Sequence, residues 1–178
     1  MFNSCDIRFL TGAMDCAFGK SVWFEKQEIN PCFDATIASC SVPVISPIVK
    51  YKDYDLLDGG ICDPIPIEKS IADGNKFHVI VLNRNKGYIK TEFKYKLLLN
   101  IFYKKYPQVI NAVLNRHEVY NRQLKLCEKL EQEGKAVIIR PKKPLQVSRT
   151  GTDIQKLLAL YDEGHEEGKD IIKLLEKL

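Results

Sequence analysis

The sequence predicts an α/β fold over residues 1–83, followed by a mainly helical extension over residues 84–178. The first part is rich in Gly, Pro, Val, Ile and Cys, whereas the second is rich in Lys, Leu and Glu at helical spacing. A short helical pattern at residues 67–72 precedes an apolar run at residues 77–82. A helix followed by a buried strand is the usual connection within a parallel sheet. A content of 45% hydrophobic and 28% charged residues excludes global disorder.

Alternating and β-branched stretches predict the strands of the first part, and Gly or Pro residues separate them. The predicted strands cover residues 6–9, 21–24, 47–51, 54–57 and 77–82, with a connection at residues 15–20. A short helix is expected at residues 34–40, with Asp34 as its N-cap and Pro43 beyond its end. A second helix at residues 67–72 is expected to stop at Gly74.

Apolar side chains spaced by three and four residues predict helices in the second part. One helical stripe consists of Phe93, Leu97, Leu98, Ile101 and Phe102. Pro107 is expected to begin a long helix that Gly134 ends. A strand is predicted at residues 136–140, and the helical pattern of residues 153–178 is expected to break at its glycines, Gly164 and Gly168.

The cysteines and the charge exclude several classes of protein. None of the six cysteines forms a Cys-x-x-Cys pair, so we expect reduced thiols, several of them buried, rather than a metal or redox site. The net charge of +4 is too small to demand a nucleic-acid partner. The first thirty or so residues lack the order of a secretory signal, and no apolar run is long enough to span a bilayer. A cytoplasmic protein is therefore expected, which can also lie at the membrane periphery.

Asp58-Gly59-Gly60 directly follows a predicted strand and is the most informative stretch for chemistry. A carboxylate at the end of a strand is held rigidly at the edge of the sheet, where α/β proteins place their ligands. Two glycines permit a sharp turn with positive φ and a close approach of other groups. Asp58 can therefore act as a general base toward a neighbouring hydroxyl. The alternative is a plain turn, because Asp-Gly is a common loop dipeptide.

Three elements in this order resemble the C-terminal half of the patatin-like phospholipase domain. They are Ala38-Ser39-Cys40-Ser41-Val42-Pro43, Asp58-Gly59-Gly60 and Pro64-Ile65-Pro66. The segments at residues 83–88 and 115–118 are similar to a bacterial branch of predicted esterases with a helical extension. The resemblance implies that residues 1–83 are the C-terminal portion of a three-layer α/β/α domain and that residues 84–178 are the extension.

The resemblance also implies the activity. The family hydrolyses acyl esters of lipids, a reaction of lipid degradation, with a Ser-Asp dyad. That mechanism needs no metal and the sequence supplies no ligand cluster for one, so no cofactor is expected. The Asp of its Asp-Gly-Gly motif corresponds to Asp58, which would accept the proton of the serine and return it to the leaving alcohol. Gly59 and Gly60 correspond to the glycines that support that motif.

The sequence departs from the family pattern in one large respect. It contains neither Gly-x-Ser-x-Gly nor a Gly-rich oxyanion loop. Ser21 has Gly19 before it but Trp23 after it, and Ser39 and Ser41 have no glycines at the needed spacing. Because the family places both elements upstream of Asp-Gly-Gly, we expect the chain to be a C-terminal fragment without activity of its own. A coding sequence upstream of Met1 that supplies them would favour the enzyme, whereas a native start at Met1 would favour a non-catalytic binding or regulatory module.

Residues 84–106 carry a net charge of +6, with aromatic residues interleaved. A helix with lysines on one face can lie on an anionic membrane, and Lys90, Lys94, Lys104 and Lys105 are the candidate contacts. The same pattern is compatible with a solvated face, or with nucleic acid, although no nucleic-acid motif accompanies it and no such partner is expected. A sheet edge left exposed in a fragment would also permit self-association.

Overall fold

The computed structural model describes residues 5–147 and 152–175, with side chains to residue 169. It contains both helices and strands, so the general α/β class is confirmed. The chain forms two compact units, which are described separately. The first unit consists of Met1–Pro66 and Lys90–Arg122, and the second of Ile67–Ile89 and Gln123–Leu178.

The first unit contains a four-stranded sheet. Its strands are β1 (Leu10–Asp15), β2 (Lys20–Glu25), β3 (Val49–Tyr51) and β4 (Tyr54–Asp58). Their order is β2-β1-β4-β3, and every neighbouring pair is antiparallel. The predictions of β2, β3 and β4 are therefore confirmed.

The predicted first strand at residues 6–9 is wrong, because β1 begins at Leu10 and pairs with β2 from Leu10↔Glu25 to Asp15↔Lys20. Ala13 and Met14 are fully buried in the sheet, whereas Ile7 and Phe9 are exposed. The alternation at residues 6–9 thus occurs outside the core. Because Gly12, in the middle of β1, has no side chain, it interrupts the alternation of polar and apolar residues that would predict a strand there.

Helix α1 (Asp34–Ser39) packs its buried alanines, Ala35 and Ala38, into a core with Phe24 and Leu56. Asp34 was predicted as the N-cap, but that position is taken by Phe33 in the left-handed conformation, at φ 58°. Asp34 is the first helical residue instead. Its N–H donates to Asn30 Oδ1 at 3.0 Å, and Asn30 Nδ2 donates to Asp34 Oδ2 at 2.7 Å. The Asn30 amide therefore supplies the capping function from outside the helix.

Helix α3 (Lys96–Phe102) and the start of helix α4 (Pro107–Gln132) complete the first unit. Leu99 and Val109 join Met14 and Leu57 in the second core cluster. The predicted stripe is wrong within α3, because Leu97, Leu98, Ile101 and Phe102 are exposed and Leu99 is the buried residue. Phe93, its first member, lies before the helix and packs against the core cluster. Helix α4 begins at Pro107 as predicted, and Gly134 at φ +69° follows its end.

The second unit contains helix α2 (Ile67–Ala72), the parallel strands β5 (His78–Val81) and β6 (Ala136–Ile139), and helix α5 (Ile154–Leu175). All four lie where the sequence predicts an element. The predicted burial of β5 is wrong on one face, because His78 and Ile80 are buried but Val79 and Val81 are exposed. In the described residues this sheet has two strands and packs one face only.

The predicted break in α5 is also wrong, because the helix runs without interruption through Gly164 and Gly168. Glycine within a helix costs about 1 kcal/mol relative to alanine, which weakens a helix but does not end it.

The six cysteines are free thiols, and Cys16 and Cys127 are buried. Burial raises their pKa values to about 12 and about 11. Both therefore remain protonated near neutral pH and are poor nucleophiles. In the described part of the chain, no group of three or more acidic, His or Cys side chains is placed to hold a metal ion. None of the helices described is long and apolar enough to cross a bilayer.

A hydrogen bond joins β4 to the residue that precedes α4. Tyr106 Oη donates to Asp55 Oδ2 at 2.7 Å, and Lys50 Nζ lies 2.9 Å from Asp55 Oδ1. These two partners hold the pKa of the Asp55 carboxyl below its ordinary value, with the tyrosine as the larger cause. Because the pKa of Asp55 is lower in the folded protein than in the unfolded chain, ionised Asp55 stabilises the fold at pH values above its pKa in the unfolded chain. This stabilisation is lost as the pH falls through the pKa of Asp55 in the folded protein.

We therefore expect Tyr106→Phe to lower the free energy of unfolding by about 1 kcal/mol near neutral pH. The difference from the parent chain should shrink in acid, once Asp55 is protonated in both proteins. Tyr103→Phe is the control, because the Tyr103 hydroxyl accepts from the Val44 N–H at 2.8 Å and involves no carboxylate. Urea denaturation at neutral and acid pH measures both variants, and a Tyr106→Phe deficit that does not change with pH would contradict the assignment.

Candidate functional site

Asp58 is the last residue of β4, one of the two inner strands of the four-stranded sheet. Leu56 and Leu57, which precede it, are fully buried. Asp58 itself pairs with Ala13 of β1, and its N–H donates to Ser41 O at 2.9 Å. The backbone of Asp58 is therefore fixed on both sides, while its side chain is only partly buried at the end of the strand.

A single turn of 3₁₀ helix, Gly59–Ile61, follows Asp58 and is capped by it. The Gly60 N–H donates to Asp58 Oδ1 at 2.7 Å. Among the described residues, Asp58 Oδ2 has no hydrogen-bond partner. One oxygen thus orients the carboxylate, and the other remains available to a proton donor from outside these residues.

The two glycines are needed for close approach rather than for positive φ. Neither is among the glycines with positive φ, so that part of the sequence expectation is wrong. A Cβ on Gly59 would lie only 2.7 Å from the carbonyl carbon of Gly12, and closer still to its oxygen. A Cβ on Gly60 would lie 3.0 Å from Asp58 Oδ1. Gly59 therefore lets the turn pack directly on the backbone of β1.

Arg116, on α4, contacts this turn. Its Nε donates to Gly60 O, and its Nη2 lies 3.5 Å from the position that a Gly60 Cβ would occupy. The guanidinium therefore holds the peptide between Gly60 and Ile61, within the turn that Asp58 caps. No local signal could assign Arg116 to the site, because it lies 56 residues from Gly60 along the chain.

None of the described serines of the first unit completes a catalytic dyad with Asp58. Ser21 Oγ lies 3.2 Å from Cys62 Sγ, and Ser41 Oγ donates to Ile37 O at 2.9 Å. Within the described residues, no serine hydroxyl is hydrogen-bonded to Asp58. Burial raises the pKa of the Cys62 thiol, so this cysteine is not an activated nucleophile either.

The four lysines singled out from the sequence have different environments. Lys90 is half-buried, with its Nζ 5.6 Å from the centroid of the Tyr120 ring. Its backbone N–H and carbonyl both bond to the side chain of Asn121, at 2.9 and 3.0 Å. Lys94, Lys104 and Lys105 are exposed. Lys90 thus participates in packing, whereas the other three are accessible.

Comparison with known protein families matches residues 106–178 to a domain of unknown function (DUF6363). The matched part begins at Tyr106 and includes Arg116. Arg116, which contacts the Asp58 turn, therefore belongs to the matched part, and Asp58 itself precedes it.

Proposed function

We propose that this chain supplies the general-base half of a patatin-like Ser-Asp acyl hydrolase, with Asp58 as the base. Asp58 carries the proposal: it sits at the fixed end of an inner strand, with Oδ1 held by Gly60 and Oδ2 available. The nucleophilic serine and the oxyanion donors would come from polypeptide outside these 178 residues, since the sequence contains no Gly-x-Ser-x-Gly. The proposed substrate is a lipid or another acyl ester.

The proposed reaction needs one proton acceptor. Asp58 Oδ2 accepts the serine proton as the serine oxygen attacks the ester carbonyl, giving a tetrahedral oxyanion. The oxyanion collapses, the bond to the alkoxide breaks, and the alkoxide takes the proton from Asp58. Water then attacks the acyl-serine, again giving a proton to Asp58, and the serine leaves with that proton as the acid is released.

The geometry at Asp58 suits this role for two reasons. The hydrogen bond from the Gly60 N–H to Oδ1 limits the rotation of the carboxylate, so that Oδ2 keeps one direction. Arg116 and the contact of Gly59 with β1 hold the turn itself. The same proposal takes the four-stranded sheet as part of a three-layer α/β/α domain, residues 84–178 as its helical extension, and the cytoplasm as its compartment.

The proposal is tested by treating the 178-residue chain with a fluorophosphonate probe and with p-nitrophenyl butyrate. We expect neither labelling nor turnover from the chain alone. A polypeptide that joins a Gly-x-Ser-x-Gly segment to these residues should be labelled at the serine of that segment. Stoichiometric labelling of Ser21, Ser39 or Ser41 in the chain alone would place the nucleophile within the sequence and overturn this division.

A further inference from the structure

Helix α3 presents an apolar face to solvent. Leu97, Ile101 and Phe102 are 73%, 64% and 59% exposed, and Leu98 is exposed as well. Leu97 and Ile101, and likewise Leu98 and Phe102, are four residues apart and therefore neighbours on the helix surface. Leu99, on the other side, anchors the helix in the core. Large apolar side chains grouped in this way mark an interaction surface.

Two loops of the first unit that contact the segment after α3 also carry exposed apolar residues. Phe18, in the β1–β2 turn, is 72% exposed, and a Cβ on its neighbour Gly19 would lie 2.9 Å from Gln108 Cβ. Ile45 is 81% exposed, and the N–H of the preceding Val44 donates to the Tyr103 hydroxyl. We call Phe18, Ile45, Leu97, Leu98, Ile101 and Phe102 the apolar surface.

The charge around the apolar surface has one sign. Residues 93–106 contain four lysines and no acidic residue. Lys94, Lys96, Lys104 and Lys105 are all exposed, and none is ion-paired with a carboxylate in the part of the chain that the structure describes. Lysines can extend from an apolar patch toward anionic groups while their methylene stems cover apolar neighbours. This charge complements a negatively charged partner.

We propose that the apolar surface docks on an anionic lipid bilayer. The leucines of α3, with Ile101, Phe102, Phe18 and Ile45, would enter the headgroup region, and the four lysines would contact lipid phosphates. A nucleic acid would be matched by the lysines but would leave the aliphatic side chains uncovered, so the combination favours lipid. This proposal uses none of the Asp58 chemistry and stands independently of the proposed function.

Co-sedimentation of the full chain with vesicles of phosphatidylcholine, with and without phosphatidylserine, tests the proposal. Binding should require phosphatidylserine and weaken with added salt. Since each lysine near acidic lipid contributes about fivefold in affinity, Lys104→Gln/Lys105→Gln should weaken binding about thirtyfold. Ile101→Ser should weaken binding about tenfold, because an apolar side chain no longer enters the lipid.

Two controls match these variants. Lys86→Gln/Lys125→Gln removes the same charge from exposed positions outside residues 93–106, and Ile37→Ser removes an exposed isoleucine from α1. Both should bind like the parent chain. Equal binding to neutral and anionic vesicles, or controls as weak as the test variants, would overturn the proposal. So would self-association or RNA binding that Ile101→Ser abolishes while vesicle binding is absent.

Discussion

Gly59→Ala is expected to lower the free energy of unfolding of the first unit by about 3 kcal/mol or more. The added Cβ would lie 2.7 Å from Gly12 C and 3.1 Å from Ala13 N, both of which are backbone atoms of β1. Strand β1 cannot retreat without breaking its pairing with β2 and β4 on its two sides. The variant should therefore unfold at a much lower urea concentration than the parent chain, or fail to accumulate in folded form.

Gly60→Ala is the matched control, one residue along the same turn. Its Cβ would meet only side-chain atoms, Asp58 Oδ1 at 3.0 Å and Arg116 Nη2 at 3.5 Å, and both can move by a few tenths of an ångström. We expect a loss of about 1 kcal/mol or less. Losses of equal size in the two variants would show that Gly59 is not required for the approach of the turn to β1.

Most helices and strands can be located from the sequence, because residues at or next to their ends mark where they begin and end. Pro107 and Gly134 mark the two ends of α4, and the apolar runs of β5 and β6 mark those strands. The errors arise where tertiary packing decides. The stripe of α3 is regular in sequence, yet its spacing does not reveal that Leu99 rather than Ile101 meets the core. Gly12 interrupts the pattern of side chains that would predict β1. Strand β5 packs on one face only, so Val79 is exposed although its sequence suggests burial.

The candidate site can be predicted in part, where its residues are neighbours in the sequence. Asp58 and the glycines are adjacent in sequence, so the end of a strand and a tight turn can be inferred together. The conformation of the glycines cannot be inferred from the sequence, because the close approach of Gly59 to Gly12 depends on how β4 pairs with β1. The contribution of Arg116 to the site also cannot be read from the sequence, because only the folded position of α4 brings Arg116 to Gly60.

Asp58→Asn is expected to lower kcat for a p-nitrophenyl ester by about 10³- to 10⁴-fold in the polypeptide that carries the serine. An asparagine side chain can still accept the Gly60 N–H through its Oδ1, so the turn and the fold should be retained. Its NH₂ group cannot accept the serine proton, so the attacking oxygen is not activated. KM should change little, because Asp58 acts on the serine rather than on substrate binding.

The role of Asp58 as the general base is tested by comparing kcat of Asp58→Asn with kcat of Asp63→Asn, measured in the same polypeptide with the same ester. Asp63 lies just beyond the 3₁₀ turn, and its backbone N–H donates to Gly59 O at 2.9 Å. It therefore controls for the loss of one carboxylate near the site. We expect near-parental turnover for Asp63→Asn, and for Asp58→Asn a loss of about 10³- to 10⁴-fold in kcat with an unchanged urea midpoint. Parental turnover in folded Asp58→Asn would contradict this role.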